Sequence, residues 1–210
     1  MIIGMQKPWR RTRGLAQVAG LTIAILALSA PGTASAGEPT CFGKKATIVA
    51  KAGGESIEEP IRGTAGDDVI VSSDRGQWIF GGDGDDRICG KGGDDYIGGG
   101  AGDDRLSSGR GVDRVSGADG DDLIKGGTGA DFLNTGDDEE NGDDEVFGGP
   151  GDDVLAAGVG EDKMFGESGD DRLFAGKADS PLVDLFSGGR GTDTCDPGEE
   201  DKLRSCEIRF

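Results

Sequence analysis

Residues 81–107 read GGDGDDRIC, GKGGDDYIG and GGAGDDRLS. Each block of nine has glycine at its first and fourth positions, aspartate at its sixth and an aliphatic residue at its eighth. A fixed period of this kind must be settled before any local reading, because it decides the whole architecture. Counted outward, the register starts at Gly63 with GTAGDDVIV and SSDRGQWIF, and continues through SGRGVDRVS, GADGDDLIK and GGTGADFLN to Asn134. The four residues TGDD at 135–138 interrupt it. It resumes with EENGDDEVF, GGPGDDVLA, AGVGEDKMF and GESGDDRLF, is interrupted again near 179–182 within AGKADSPLVDLFS, and closes with GGRGTDTCD at 188–196. Of the fourteen units all are apolar at position 8, thirteen have Asp at position 6 (Gln77 is the departure), and twelve have Gly at position 4 (Arg75 and Ala178 depart). Three positions do not stay in register for that long by chance.

The periodicity overturns what composition alone would say. Glycine makes up 42 of 210 residues, 34% of the chain is apolar, and 41 acids face 22 bases with no histidine. Such a chain is poorly supplied for a conventional core and by itself reads as disordered. Its acidity also excludes nucleic acid as a partner, since phosphate binding needs clustered Lys and Arg. A nine-residue unit lowers the demand for apolar residues. Positions 7 to 9 form a short strand with the central side chain inward and its neighbours outward. Positions 1 to 6 reverse the chain, with glycine supplying positive-φ turns. Two units make a coil of two facing parallel strands, so each coil needs only two inward hydrophobes.

The pattern GGxGxDxUx over 63–196 resembles the RTX, or hemolysin-type, calcium-binding repeat. The resemblance implies an all-β fold, a parallel β-roll (a right-handed β-solenoid) with small terminal caps at 37–62 and 197–210. It further implies multiple Ca2+ ions held between turns n and n+2 by position-6 aspartates and turn carbonyls, matching the cation's preference for six to eight oxygen ligands. Carried onto this chain, the ligands are Asp68, Asp86, Asp95, Asp104, Asp113, Asp122, Asp131, Asp144, Asp153, Asp162, Asp171, Asp184 and Asp193. The blocks 81–134 and 148–174 hold the fullest pattern, and the SSDRGQ turn lacks the carboxylate. Position-5 acids, such as Asp85 and Asp103, are expected to face solvent.

The first 36 residues are of another kind. Lys7, Arg10, Arg11 and Arg13 precede the apolar run Leu15–Ala30 and the small-residue site Ala34-Ser35-Ala36. This is the three-part plan of a secretory signal, with an apolar run short for a membrane span, so the mature chain is expected to be extracellular and without a membrane partner. Removing the leader's four basic residues leaves 18 bases against 41 acids, a net charge of −23. Self-repulsion of that size opposes collapse. On the order of ten divalent cations would nearly cancel it, which predicts folding coupled to binding.

In an exported chain Cys41, Cys89, Cys195 and Cys206 suggest two disulfides, with three pairings open. Cys41–Cys89 and Cys195–Cys206 are favoured because each ties an end segment to adjoining coils. Outward position 7 of alternate units reads Trp78, Tyr96, Arg114, Phe132, Val154 and Arg172. This row is either a cell-surface or self-association face or the ordinary preference of exposed strands for such residues. No GxSxG or HExxH motif occurs, and the repeats leave no room for a hydrolase domain. The chain therefore reads as a non-enzymatic calcium-binding protein, the alternative being a surface adhesin or matrix protein stiffened by calcium.

Overall fold

In the computed structural model the chain separates into residues 1–36 and 37–210. The structure describes residues 38–50, 59–136, 142–175, 184–196, 202–204 and 206–208, all in the second unit. The leader expected at 1–36 lies outside the described residues.

The described residues contain strands and turns and no helix. One nine-stranded sheet, the odd sheet, contains β3 (Ile48–Val49), β5 (Val69–Val71), β7 (Arg87–Gly92), β9 (Arg105–Arg110), β11 (Leu123–Thr128), β13 (Glu145–Pro150), β15 (Lys163–Ser168), β17 (Leu185–Arg190) and β19 (Lys202–Arg204). The other, the even sheet, contains β4 (Ile61–Arg62), β6 (Trp78–Asp83), β8 (Tyr96–Ala101), β10 (Arg114–Asp119), β12 (Phe132–Asn134), β14 (Val154–Ala156), β16 (Arg172–Phe174), β18 (Thr194–Asp196) and β20 (Glu207–Ile208). Every neighbouring pair within these sheets is parallel, and the chain crosses to the other sheet at each turn. This is the expected parallel β-roll. The fourteen strands β5 to β18 carry one repeat each.

The register follows the repeat: Ile79 lies beside Ile97, Ile97 beside Val115, and Val115 beside Leu133. From Ile70 to Cys195 the position-8 side chains are essentially without exposure and form one continuous core. The strands are longer than the expected three residues. Most run six, because positions 2 and 3 pair again with the coil below, as in Ala118 beside Gly100, after position 1 breaks the ladder. Position 2 must then take positive φ. Glycine does so at Gly82 and Gly100, and Lys91, Ala118 and Glu167 are held in the same conformation at φ 76°, 87° and 74°.

Neither interruption shifts the stack. The Thr135 carbonyl accepts the Ala118 N–H at 2.7 Å, so Thr135 and Gly136 serve as positions 1 and 2 of their unit. The extra residues fall between Gly136 and Gly142, and in the second case between Ala175 and Asp184.

At the front, Ile48 and Ile61 extend the core, and β3 and β4 extend the two sheets. The antiparallel hairpin of β1 (Thr40–Cys41) and β2 (Lys44–Lys45) packs on the outside of the roll, where Cys41, Phe42 and Ala46 cover Val69 and Val71. Cys41 is bonded to Cys89 and Cys195 to Cys206, the favoured pairings, with Cα separations of 5.8 and 5.7 Å.

Candidate metal centre

The turns bring the position-6 side chains into two vertical rows, one along each edge. In the first, the backbone N–H of Asp68 donates to Asp86 Oδ1 at 2.7 Å, that of Asp86 to Asp104 Oδ1 at 2.8 Å, and that of Asp104 to Asp122 Oδ1 at 2.8 Å. The row continues through Asp144, Asp162 and Asp184. The second row starts at Gln77 and runs through Asp95, Asp113, Asp131, Asp153, Asp171 and Asp193. All thirteen aspartates carried over from the resemblance are buried, with exposures between 0 and 7%. One oxygen of each carboxylate from Asp86 onward thus serves the backbone of the coil before it.

The other oxygen is the anomaly. Among the described residues, Oδ2 of Asp86, Asp95, Asp104, Asp113, Asp122, Asp131, Asp153, Asp162 and Asp171 is buried with no hydrogen-bond partner. All nine fall within 81–134 and 148–174. Buried polar atoms are nearly always satisfied, and an unsatisfied carboxylate oxygen is costly. The neighbouring group makes matters worse. A Cβ placed on Gly126 would lie 2.6 Å from Asp131 Oδ2 and 2.7 Å from the Gly148 carbonyl oxygen. The same two oxygens, the unit's own Oδ2 and the position-1 carbonyl of the next coil, meet at Gly81, Gly90, Gly99, Gly117, Gly148 and Gly166. In these seven units glycine at position 1 leaves space where two electron-rich oxygens converge.

The consequence shows in acidity. Burial, only partly opposed by the donated backbone N–H and reinforced by neighbouring acids, pushes Asp86, Asp131 and Asp171 up to about 6. The same causes bring Asp95, Asp104, Asp153 and Asp162 to about 7 and Asp122 to about 9. Asp113 and Asp144 are raised as well. The donated backbone N–H favours the charged forms, helped by Ser108 at Asp113 and Thr135 at Asp144, but burial outweighs these contacts.

A hard cation fits this donor set. Among the described residues no three His, Cys, Asp or Glu side chains converge, so a metal would be held by carboxylate and carbonyl oxygens of adjacent coils, a mixture that suits Ca2+.

Three position-6 side chains are satisfied by hydroxyls instead. Asp68 Oδ2 accepts the Thr64 N–H at 2.7 Å and its hydroxyl at 2.9 Å, while Oδ1 accepts the Thr47 hydroxyl at 3.1 Å. Gln77 Oε1 accepts the Ser72 and Ser73 hydroxyls and the Ser73 N–H. Thr135 hydrogen-bonds Asp144 and accepts the Gly158 N–H at 2.6 Å. Sequence reading missed these partners, although Thr64, Ser72, Ser73 and Thr135 stand at position 1 or 2, where a fuller repeat has glycine, and Thr47 lies in the segment before the repeats. It also missed a second role for position 5. These acids are exposed as expected, yet Asp67, Asp85, Asp103, Asp121 and Asp143 each accept the N–H of the following coil's position-5 residue.

Stacked nine-residue turns that align buried carboxylates beside backbone carbonyls define a calcium-type β-roll protein. Four stretches, residues 72–106, 80–115, 107–139 and 140–177, match the RTX calcium-binding nonapeptide repeat and together span half of the chain. The chain belongs to the RTX calcium-binding nonapeptide repeat family. No curated protein matches it.

Proposed function

We propose that this is a secreted, non-enzymatic protein whose roll takes up several Ca2+ ions between stacked turns and folds as it does so. The observation that carries the reading is the set of nine buried Oδ2 atoms without partners. A fold that lines up uncompensated anionic oxygens at neutral pH is incomplete until cations neutralise them. The thirteen aspartates named above are the proposed ligands, with the nine orphaned oxygens as the principal ones. Two disulfides and the leader-like N-terminus support an extracellular setting, where calcium is abundant and thiols are oxidised. Calcium supplies charge neutralisation and cross-bridging between coils, and the protein supplies rigid, repeated oxygen positions.

Isothermal calorimetry of the mature chain tests this: the expected result is several Ca2+ ions per chain, with magnesium failing to substitute. Binding of one ion or none would sink the reading. A second role, adhesion or matrix building, is favoured by the exposed aromatic row of the even sheet, where Trp78 is 61% exposed.

A further inference from the structure

The outward rows of the even sheet combine aromatic rings with positive charge. Positions 7 and 9 from β4 to β16 carry Arg62, Trp78, Phe80, Tyr96, Arg114, Phe132, Arg172 and Phe174 among small or neutral residues, and not one acid. Asp196 in β18 is the first. In a chain with 41 acids and 22 bases, the charge on this described run of strand surface is wholly positive. It is also aromatic and open: Trp78, Tyr96, Phe132 and Phe174 are 61, 42, 46 and 38% exposed. Trp78 and Phe80 both lean on Tyr96, with ring centroids 6.0 and 5.9 Å apart, and the Arg62 guanidinium lies 4.9 Å over Phe80. On the odd sheet the corresponding patch, Val69 and Val71, is covered by the N-terminal hairpin.

We infer that this face binds an acidic polysaccharide whose carboxylates are spaced among neutral sugars. Positive charge on an otherwise acidic protein selects an anionic partner. Arg62, Arg114 and Arg172 lie on β4, β10 and β16, three coils apart each time, which at the usual strand spacing of about 4.8 Å is roughly 14 Å. Nucleic acid carries a charge every ~3.4 Å along each strand and needs far denser cations. Anionic membranes are read by tight clusters of about four to eight Lys and Arg, and this face has no such cluster. A glycan with sparse uronates meets both requirements. Guanidinium groups pair with its carboxylates through paired hydrogen bonds, and the flat C–H faces of its pyranose rings lie against Trp78, Tyr96 and Phe132. Aromatic residues stand on β6, β8, β12 and β16, one, two and two coils apart, so an extended chain of rings running across the strands meets them at multiples of the strand spacing. Calcium in the turns removes the repulsion that the edge carboxylates would otherwise exert on such a polymer.

The inference rests on the calcium-loaded roll, and its test reads the two separately. The mature chain in calcium is passed over immobilised hyaluronate, with neutral dextran and anionic lipid vesicles as alternatives, while far-UV circular dichroism follows the fold. Retention on hyaluronate but not dextran is expected, weakened by salt. W78A/Y96A and R114Q/R172Q, which leave the core untouched, should each weaken it at least ~10-fold with an unchanged spectrum. A folded, calcium-loaded chain that ignores hyaluronate overturns the inference. So does preference for vesicles, retention unaffected by the substitutions, or a dimer in sedimentation velocity that W78A/Y96A dissociates. A chain that fails to fold in calcium overturns the calcium reading instead.

Discussion

Each position-6 aspartate has two oxygens with separate duties. Asp104 Oδ1 takes the Asp86 N–H, and Oδ2 is left beside the Gly117 carbonyl. Asparagine would keep the first contact and place an N–H where the second oxygen stands, giving the carbonyl a donor. The triple variant D86N/D104N/D122N should therefore bind fewer calcium ions yet show more β-signal in chelator than the parent. Relief of each buried unsatisfied oxygen is worth about 1–3 kcal/mol. Circular dichroism and calorimetry check the pair of effects, and a variant that loses structure in chelator contradicts the assignment. Acidity gives an independent handle. The folded-state values of these aspartates lie above the ordinary 3.8, so the metal-free fold binds protons more tightly than the unfolded chain. Its stability is fully present below about 3.8 and is lost as pH rises through about 6 to 9. In chelator the chain should gain β-structure on acidification from pH 8 to pH 4, and a loss over that range would count against the burial of these groups.

Strands and turns divide the labour unevenly along the roll. The first turn on each edge is closed by its own side chains, Thr64 on Asp68 and Ser72 with Ser73 on Gln77, and Cys41–Cys89 fastens the hairpin beside them. From Gly81 onward the turns lack that closure, apart from the one where Thr135 meets Asp144. Hydrogen exchange of the chelated protein should accordingly show its slowest amides within residues 61–80, with rapid exchange over 81–174, and calcium should slow the second region most. Uniform exchange in chelator would show that hydroxyls do not replace the metal. Much of this was legible beforehand. The nine-residue count located the position-8 core from Ile70 to Cys195, because a stacked fold repeats one local solution, though not buried Ala157 at position 1, and the two disulfides are the favoured pairings. The six-residue strands were not legible, since their second half is glycine-rich and pairs only through the backbone. Nor was Thr135 as a position-1 residue, because counting in nines cannot say where within a turn the extra residues leave the stack.

Taken whole, the unit is a column of thin coils, each burying two hydrophobic side chains, with carboxylates at close spacing down both edges. Burial on that scale is modest against the ordering entropy of a glycine-rich chain. The hydrophobic column sets which residues lie side by side, and in the proposed reading charge sets whether the column stands. Truncating a mid-column residue such as Leu106, which is fully buried, to alanine should cost about 2–5 kcal/mol even in saturating calcium, readable as a lower melting temperature. The central claim is that the roll is completed by calcium, and far-UV circular dichroism of the mature chain in excess chelator, followed by calcium addition, tests it most directly. The account predicts a largely disordered spectrum with a small β-contribution that converts to the full β-signal as calcium is added. A full β-signal in excess chelator at neutral pH, unchanged by calcium, would contradict it.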